Sequence, residues 1–140
     1  MGKILCATRG GQASYCTQDA AIALAKERGH ELVFLYVVDT SFLDKTAAPI
    51  VVDVEGSIET MGQFLLAMAQ ERAAQQGVEA QTVCRQGRIR QEIKAAAVEE
   101  QATTVVLGRP AGETSVFIPE ALQSFAADIE SETGAEVVIV

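Results

Sequence analysis

The stretch of this chain with the clearest capacity for chemistry runs from Thr103 to Ser124. Its first residues form an apolar run that predicts a buried strand, Gly108 and Gly112 mark a loop, and a helical pattern follows. Backbone N–H groups of a glycine-containing loop and of a helix N-terminus can bind phosphate. The pattern therefore predicts an anion-binding loop at the carboxyl end of a strand.

Residues that could catalyse a reaction are scarce. The single histidine, His30, lies in a predicted turn with no cysteine partner nearby, and Asp39 follows a strand, where carboxylates most often cap turns. Neither Gly-x-Ser-x-Gly nor Gly-x4-Gly-Lys-Ser/Thr occurs. We predict no catalytic residue, and ATP hydrolysis only as a weak activity should a nucleotide bind.

The cysteines indicate neither disulfides nor a metal site. Their number, three, is odd, and metal-ligand spacings among cysteine, histidine and carboxylates are missing. Cys6 and Cys84 fall in apolar strand runs and Cys16 lies on a predicted helix. We interpret all three as buried structural thiols in a reducing compartment.

The acidic composition limits the partners of the chain. Its 140 residues include 19 acidic and 11 basic ones, for a net charge of −8. Such a domain repels nucleic acid. Its only basic cluster, around Arg85 and Arg90, is typical of the solvent-exposed start of a helix. No apolar run approaches the roughly 20 residues that span a bilayer, and the first run is too short for a signal peptide. We expect a cytoplasmic protein that binds neither nucleic acid nor membrane.

Strand and helix patterns alternate along the whole chain. The five predicted strands cover residues 3–8, 31–38, 78–84, 103–107 and 136–140, and the four helices cover 14–28, 57–76, 89–100 and a segment beginning near Pro119. Buried apolar strands that alternate with helices pair in parallel through right-handed crossovers. The fold class is therefore a doubly wound, three-layer α/β sandwich, in one domain over residues 1–140.

Some finer expectations concern the helices. Ser14 or Thr17 could cap the first helix, and residues 41–56 predict a loop with a short extended piece. In the second helix Met61, Phe64 and Met68 recur at spacings of three and four, so we interpret the methionines as core fillers.

The order of these elements resembles the universal stress protein family over nearly the whole length. Short segments at corresponding places strengthen the resemblance: Ile4-Leu5 through Thr8, Leu35 to Val38, Cys84 to Gly87, Val105 to Gly108, and Val137 to Val140. The resemblance implies a Rossmann-like open parallel sheet in the order 3-2-1-4-5. It also implies a homodimer, commonly formed through the terminal strands.

Some members of that family bind ATP through the motif Gly-x2-Gly-x9-Gly-Ser/Thr, and this chain departs from it. Gly108 matches the first glycine, but three residues rather than two separate it from Gly112, and Pro110 removes an N–H donor between them. Gln123 stands where the third glycine is expected, while Ser124 keeps the hydroxyl. A side chain at that position would obstruct close approach of a phosphate to the backbone.

The end of the first strand departs as well, because Arg9 stands where ATP-binding members usually have an acidic residue. Arg9 and Arg109 could instead contact an anionic group. If a nucleotide site is retained, the resemblance places it at the carboxyl ends of the first and fourth strands. Its residues would be Ala7, Thr8, Arg9, Val38, Gly108, Arg109, Gly112, Gln123 and Ser124.

Three hypotheses follow. The first is a regulatory stress-response homodimer without a cofactor, paired through the strand from Glu136 to Val140 and acting on an unknown protein partner. The alternative is a switch that binds ATP with Mg²⁺ through the remodelled loop from Gly108 to Gly112. The third is a small enzyme or carrier on a similar fold, such as a flavodoxin-like module that binds another phosphate-bearing cofactor. A flavin is disfavoured because the chain has five phenylalanines, two tyrosines and no tryptophan for stacking.

Overall fold

Strands and helices alternate in the computed structural model, which describes residues 2–8, 12–38, 48–108 and 120–140, with backbone alone for 12–14, 48–59 and 121. The strands are β1 (Lys3–Ala7), β2 (Glu31–Val38), β3 (Ala80–Gln86), β4 (Thr104–Leu107) and β5 (Glu136–Ile139). The helices are α1 (Gln12–Arg28), α2 (Ala48–Gln75), α3 (Ile89–Glu99) and α4 (Glu120–Thr133).

The five strands form one parallel sheet in the order β3-β2-β1-β4-β5, which confirms the predicted fold class and strand order. β1 lies at the centre, so Leu5 has Val33 of β2 on one side and Val105 of β4 on the other. Residues 80–86 form an edge strand with exposed positions, shifted by two residues from the predicted range 78–84. None of the helices in the described ranges is long and apolar enough to cross a membrane.

Two hydrophobic cores cover the two faces of the sheet. Alternate side chains of a strand point to opposite faces, so Ile4 and Cys6 join one core with α1 and α2, while Leu5 joins the other with α3 and α4. Phe34 lies fully buried in the first core, and Ile129 of α4 in the second. The sandwich therefore has helices on both faces.

The second helix begins earlier than the sequence predicted. The prediction of a loop over residues 41–56 is wrong from Ala48 onward, because α2 starts there and runs to Gln75. Pro49 is the second residue of the helix, where a missing N–H removes no intrahelical hydrogen bond. Residues 41–47 lie outside the described part of the chain.

The interpretation of the α2 methionines as core fillers is also wrong. The helix turns Gly62, Leu66, Ala69 and Ala73 toward the sheet, and Met61 and Met68 point outward. A β-carbon at Gly62 would lie 2.5 Å from Cδ1 of Tyr36, so the helix backbone rests directly on that ring. Close packing thus selects the small residues for the inner face and leaves the large apolar ones outside.

Two smaller expectations need correction. Because α1 begins at Gln12, Ser14 and Thr17 lie within the helix and cannot be its N-cap. Of the three thiols only Cys6 is buried, whereas Cys84 is half-buried and Cys16 is exposed. Cys16 lies on a helix, as predicted, but the helix presents that position to solvent.

Candidate functional site at the carboxyl ends of the strands

The crevice of an open α/β sheet lies where the strand order reverses, and here that point falls between β1 and β4. Cys6 of β1 pairs with Val106 of β4. Extending the same register by two residues sets Thr8 opposite Gly108. The structure therefore brings together these two of the residues predicted for a nucleotide site.

Helix α1 supplies polar side chains to the floor of this crevice. Thr8, Thr17 and Gln18 are each at most 4% exposed. The Gln18 side-chain amide Nε2 donates a 3.0 Å hydrogen bond to the hydroxyl of Thr8, whose backbone N–H donates to the carbonyl of Leu35 at 2.8 Å. The N–H of Thr8 is thus engaged within the protein, and its hydroxyl oxygen is engaged as an acceptor.

Gly108 packs against Thr17 at the end of β4. A β-carbon on Gly108 would lie 2.5 Å from the Thr17 hydroxyl oxygen, closer than real β-carbons approach. Its backbone does not adopt the positive φ that only glycine favours. The glycine is therefore required by the close approach of α1, independently of any phosphate.

Ala7 and Val38 complete the described strand ends. Ala7 is half-buried and packs against the core beneath α3 and α4. Val38 is buried, and its carbonyl accepts a 3.0 Å hydrogen bond from the N–H of Gly87 in the turn before α3. Both residues therefore help to form the carboxyl end of the sheet.

Gln123 and Ser124 lie inside α4 rather than at its beginning, and both are exposed. In an α-helix the N–H of residue i donates to the carbonyl of residue i−4, so the N–H of Ser124 is directed to Glu120. Glu120 places a carboxylate in the first turn, where it interacts favourably with the positive end of the helix dipole. Arg9, Arg109 and Gly112 lie outside the described residues.

Neither Cys6 nor His30 equips the crevice for catalysis. Cys6 lies below Thr17, and burial raises the pKa of its thiol to about 12. Such a thiol stays protonated and unreactive at neutral pH. His30 lies at the opposite, amino end of the strands, against Gly2 and Thr103. Among the described residues no cluster of histidine, cysteine and carboxylates could hold a metal ion.

The comparison with known families agrees with this architecture. A model of the universal stress protein family matches residues 1–140. The chain belongs to the universal stress protein family. "Universal stress protein YxiE" of Bacillus subtilis is 30% identical over 114 residues, covering 76% of this chain and 77% of that protein. The predicted family is thereby confirmed, and with it the general assignment to stress response.

Solved structures of universal stress proteins share the fold. UspA from Lactobacillus plantarum has a TM-score of 0.80 at 17% identity, over 99% of this chain and 97% of that one. A universal stress protein solved in complex with cAMP has a TM-score of 0.70 at 20% identity, over 99% and 96%. These likenesses establish the fold of this universal stress protein.

Sequence reasoning missed two residues of the crevice, Thr17 and Gln18. The alanine-rich sequence of α1 indicates close packing against the sheet, but it does not reveal which polar side chains face the strand ends. A signal was available in retrospect: both residues fall one turn before the buried Ala21 and Ile22, on the inner face of the helix.

Proposed function

We propose that this universal stress protein acts as a homodimeric stress-response regulator through protein contacts, without holding ATP by the glycine motif of the family. The observation that supports this most is the position of Gln123 and Ser124 inside α4, which begins at Glu120. A phosphate at that helix would meet a carboxylate in the first turn and, at Ser124, an N–H directed to an intrahelical carbonyl.

The remaining described residues of the crevice offer few groups that could bind a nucleotide. The backbone N–H of Thr8 already donates to the carbonyl of Leu35, so it is not available to a phosphate. The Gly108 backbone lies against Thr17, so its missing side chain leaves room for α1 rather than for a phosphate. The net charge of −8 opposes the approach of an anion at long range.

The proposed dimer contact is the outer edge of β5. Val137 to Val140 are all half-buried, although β4 covers only one side of the strand. Glu136 and Val140 donate their N–H groups to β4, to the carbonyls of Thr103 and Leu107. By alternation, the N–H and carbonyl groups of Val137 and Ile139 point outward. An apolar edge of this kind favours pairing with a second copy about a two-fold axis.

An ATP-binding switch is the second candidate, and one observation favours it. Gly108 and Thr8 lie side by side at the point where related folds bind nucleotides, and a structural relative was solved with cAMP. If ATP with Mg²⁺ binds here, it binds through a loop rearranged relative to the family motif. A direct titration of ATP distinguishes the two candidates.

Sedimentation of the wild-type chain and of Ile139→Pro tests the dimer. Proline at 139 removes only an outward N–H, so it should abolish pairing between copies while sparing the hydrogen bonds to β4. Val140→Pro is the matched control, because it removes the N–H that binds Leu107 within the chain and should lower stability. We expect a wild-type dimer and a folded Ile139→Pro monomer. A monomeric wild type, or an Ile139→Pro dimer, would refute the proposed contact.

A further inference from the structure

A stripe of large apolar side chains lies on the outer face of α2. Met61, Phe64 and Met68 are 60%, 65% and 43% exposed, at helical spacings of three and four. Leu65 continues the stripe at its side, toward α1. We call Met61, Phe64, Leu65 and Met68 the α2 stripe.

Packing within the chain does not account for these exposed apolar side chains. The inner face of α2 is complete without these residues, because Gly62, Leu66 and Ala69 already fill the contact with the sheet. Scattered exposed apolar residues are ordinary, whereas contiguous patches of a few hundred Å² commonly mark interaction sites. Methionines add a flexible surface that can adapt to a partner.

A cleft extends the stripe toward α1. It has a volume of about 290 Å³ and is lined by Tyr15, Gln18, Leu65, Met68, Glu71, Arg72 and Gln75. The stripe and the cleft together form a shallow groove along α2 with an apolar floor at Leu65 and Met68. A groove of this kind suits the apolar face of an amphipathic helix.

The charge beside the groove indicates the chemistry of the partner. The Arg72 guanidinium stacks over the Tyr15 ring at 4.6 Å and binds both carboxylate oxygens of Asp19, at 2.7 and 2.9 Å. Its charge is thus compensated, and Asp19 has a lowered pKa because of this hydrogen bonding. Glu71 lies one helical turn beyond Met68 and, in the described part of the chain, makes no ion pair.

We propose that this groove binds a short amphipathic helix of another protein, with an apolar face and basic flanks. The sequence of α2 adds weight, since the helix contains four acidic residues and a single basic one, Arg72. A second copy of the chain would bring the same net charge of −8. The charge therefore favours a basic partner other than a second copy.

This inference rests on the proposed function, because both assign the activity of the protein to contacts with other proteins. It does not depend on the β5 edge or on the crevice. α2 packs on β2 and β3, at the edge of the sheet opposite to β5. The groove therefore remains available in a β5 dimer and in the Ile139→Pro monomer alike.

A titration with designed peptides tests the groove. The probe is a labelled peptide of about 15 residues, long enough to form a helix, with leucines at i, i+3 and i+7 and arginines on its polar face. A second peptide keeps the leucines and replaces each arginine with glutamate. Binding is followed by fluorescence anisotropy with the wild-type chain, Phe64→Ser and Ile139→Pro.

We expect the basic peptide to bind at least about tenfold more tightly than the acidic one, and more weakly at high salt. Phe64→Ser should weaken binding about tenfold or more, as the loss of a central aromatic anchor does. Val98→Ser is the matched control, because Val98 is also 60% exposed but lies on α3. Ile139→Pro should bind as the wild type does, whatever its oligomeric state.

Four results would overturn the proposal. One is equal affinity for the basic and the acidic peptide, and another is unchanged affinity in Phe64→Ser. The third is sedimentation in which Phe64→Ser, but not Val98→Ser, converts a wild-type oligomer to smaller species, because the occupant of the groove would then be a second copy. A loss of binding in Ile139→Pro alone would make the peptide site depend on the β5 dimer and would likewise contradict it.

Discussion

Gly108 at the end of β4 lies against Thr17 of α1 so closely that a β-carbon on the glycine would be 2.5 Å from the threonine hydroxyl oxygen. The next atoms of Thr17, Cβ and Cγ2, are 3.5 and 3.6 Å away, which is ordinary contact. The glycine that was predicted to begin a nucleotide motif is therefore a packing residue, and its substitution should affect the fold whether or not a ligand binds.

This relationship predicts a double-mutant cycle. Gly108→Ala should destabilise the protein by about 1–3 kcal/mol, the usual cost of overpacking. Thr17→Ala removes the atom that clashes, so Gly108→Ala in that background should cost about 1 kcal/mol less. Urea unfolding of the four proteins measures the coupling. Strictly additive effects would mean that the two residues do not contact each other.

The hydrogen bond between Gln18 and Thr8 gives a second prediction. Thr8→Val keeps the shape of the side chain and leaves the buried Gln18 amide without its acceptor at 3.0 Å. The expected loss is about 1–3 kcal/mol. Replacing both residues, as in Thr8→Val with Gln18→Leu, should recover part of the loss, because no polar group is then left unsatisfied. Chemical unfolding that shows the double variant to be the least stable would contradict this.

The buried thiol of Cys6 predicts a loss of stability at alkaline pH. Burial raises its pKa from 9.0 to about 12 in the folded protein, so between these values the unfolded chain releases a proton that the folded chain retains. Stability is therefore full below pH 9 and declines above it, by up to about 1.4 kcal/mol for each pH unit. Unfolding free energies measured from pH 8 upward should fall more steeply for the wild type than for Cys6→Ala.

The contrast between thiols is a control for the same prediction. Cys16 is exposed and Cys6 is buried, so a thiol reagent should modify Cys16 rapidly in the native protein and Cys6 only on unfolding. Parallel pH profiles of the wild type and Cys6→Ala would show that Cys6 does not account for the alkaline decline.

A carboxylate of α4 partly blocks the outer edge of β5. Glu130 of α4 accepts a hydrogen bond from the outward N–H of Val137 at 3.3 Å. A second copy that pairs with this strand must displace that carboxylate. Glu130→Ala should therefore tighten the dimer about threefold, the effect of one weak exposed hydrogen bond, whereas Glu132→Ala, whose carboxylate binds Lys94 at 2.7 Å, should not. Equal dimer dissociation constants for the three proteins by sedimentation would contradict this role.

The elements with a strong local signal were predictable from the sequence. The residues of β2 from Leu32 to Val38 are strand formers, all buried or half-buried, and both of its predicted ends, Glu31 and Val38, are confirmed. The strand order followed from the family resemblance, because alternation alone predicts parallel pairing without deciding which strands are neighbours.

The rest depended on contacts that no local pattern records. The periodicity of α2 marked Met61 and Phe64 and did not mark the buried Leu66, whereas the packing of Gly62 on Tyr36 shows which face turns inward. Likewise, Thr17 and Gln18 became crevice residues because α1 crosses the ends of β1 and β4. Tertiary contacts of this kind override periodicity and propensity.

Calorimetric titration of ATP with Mg²⁺ into the purified protein tests most directly whether the protein works without a nucleotide. The chain should give no saturable heat at millimolar ATP, since Glu120 occupies the first turn of α4 and the N–H of Ser124 is directed within the helix. A dissociation constant on the order of micromolar, which corresponds to about −8 kcal/mol of binding free energy, would contradict this account and establish the crevice as a nucleotide site.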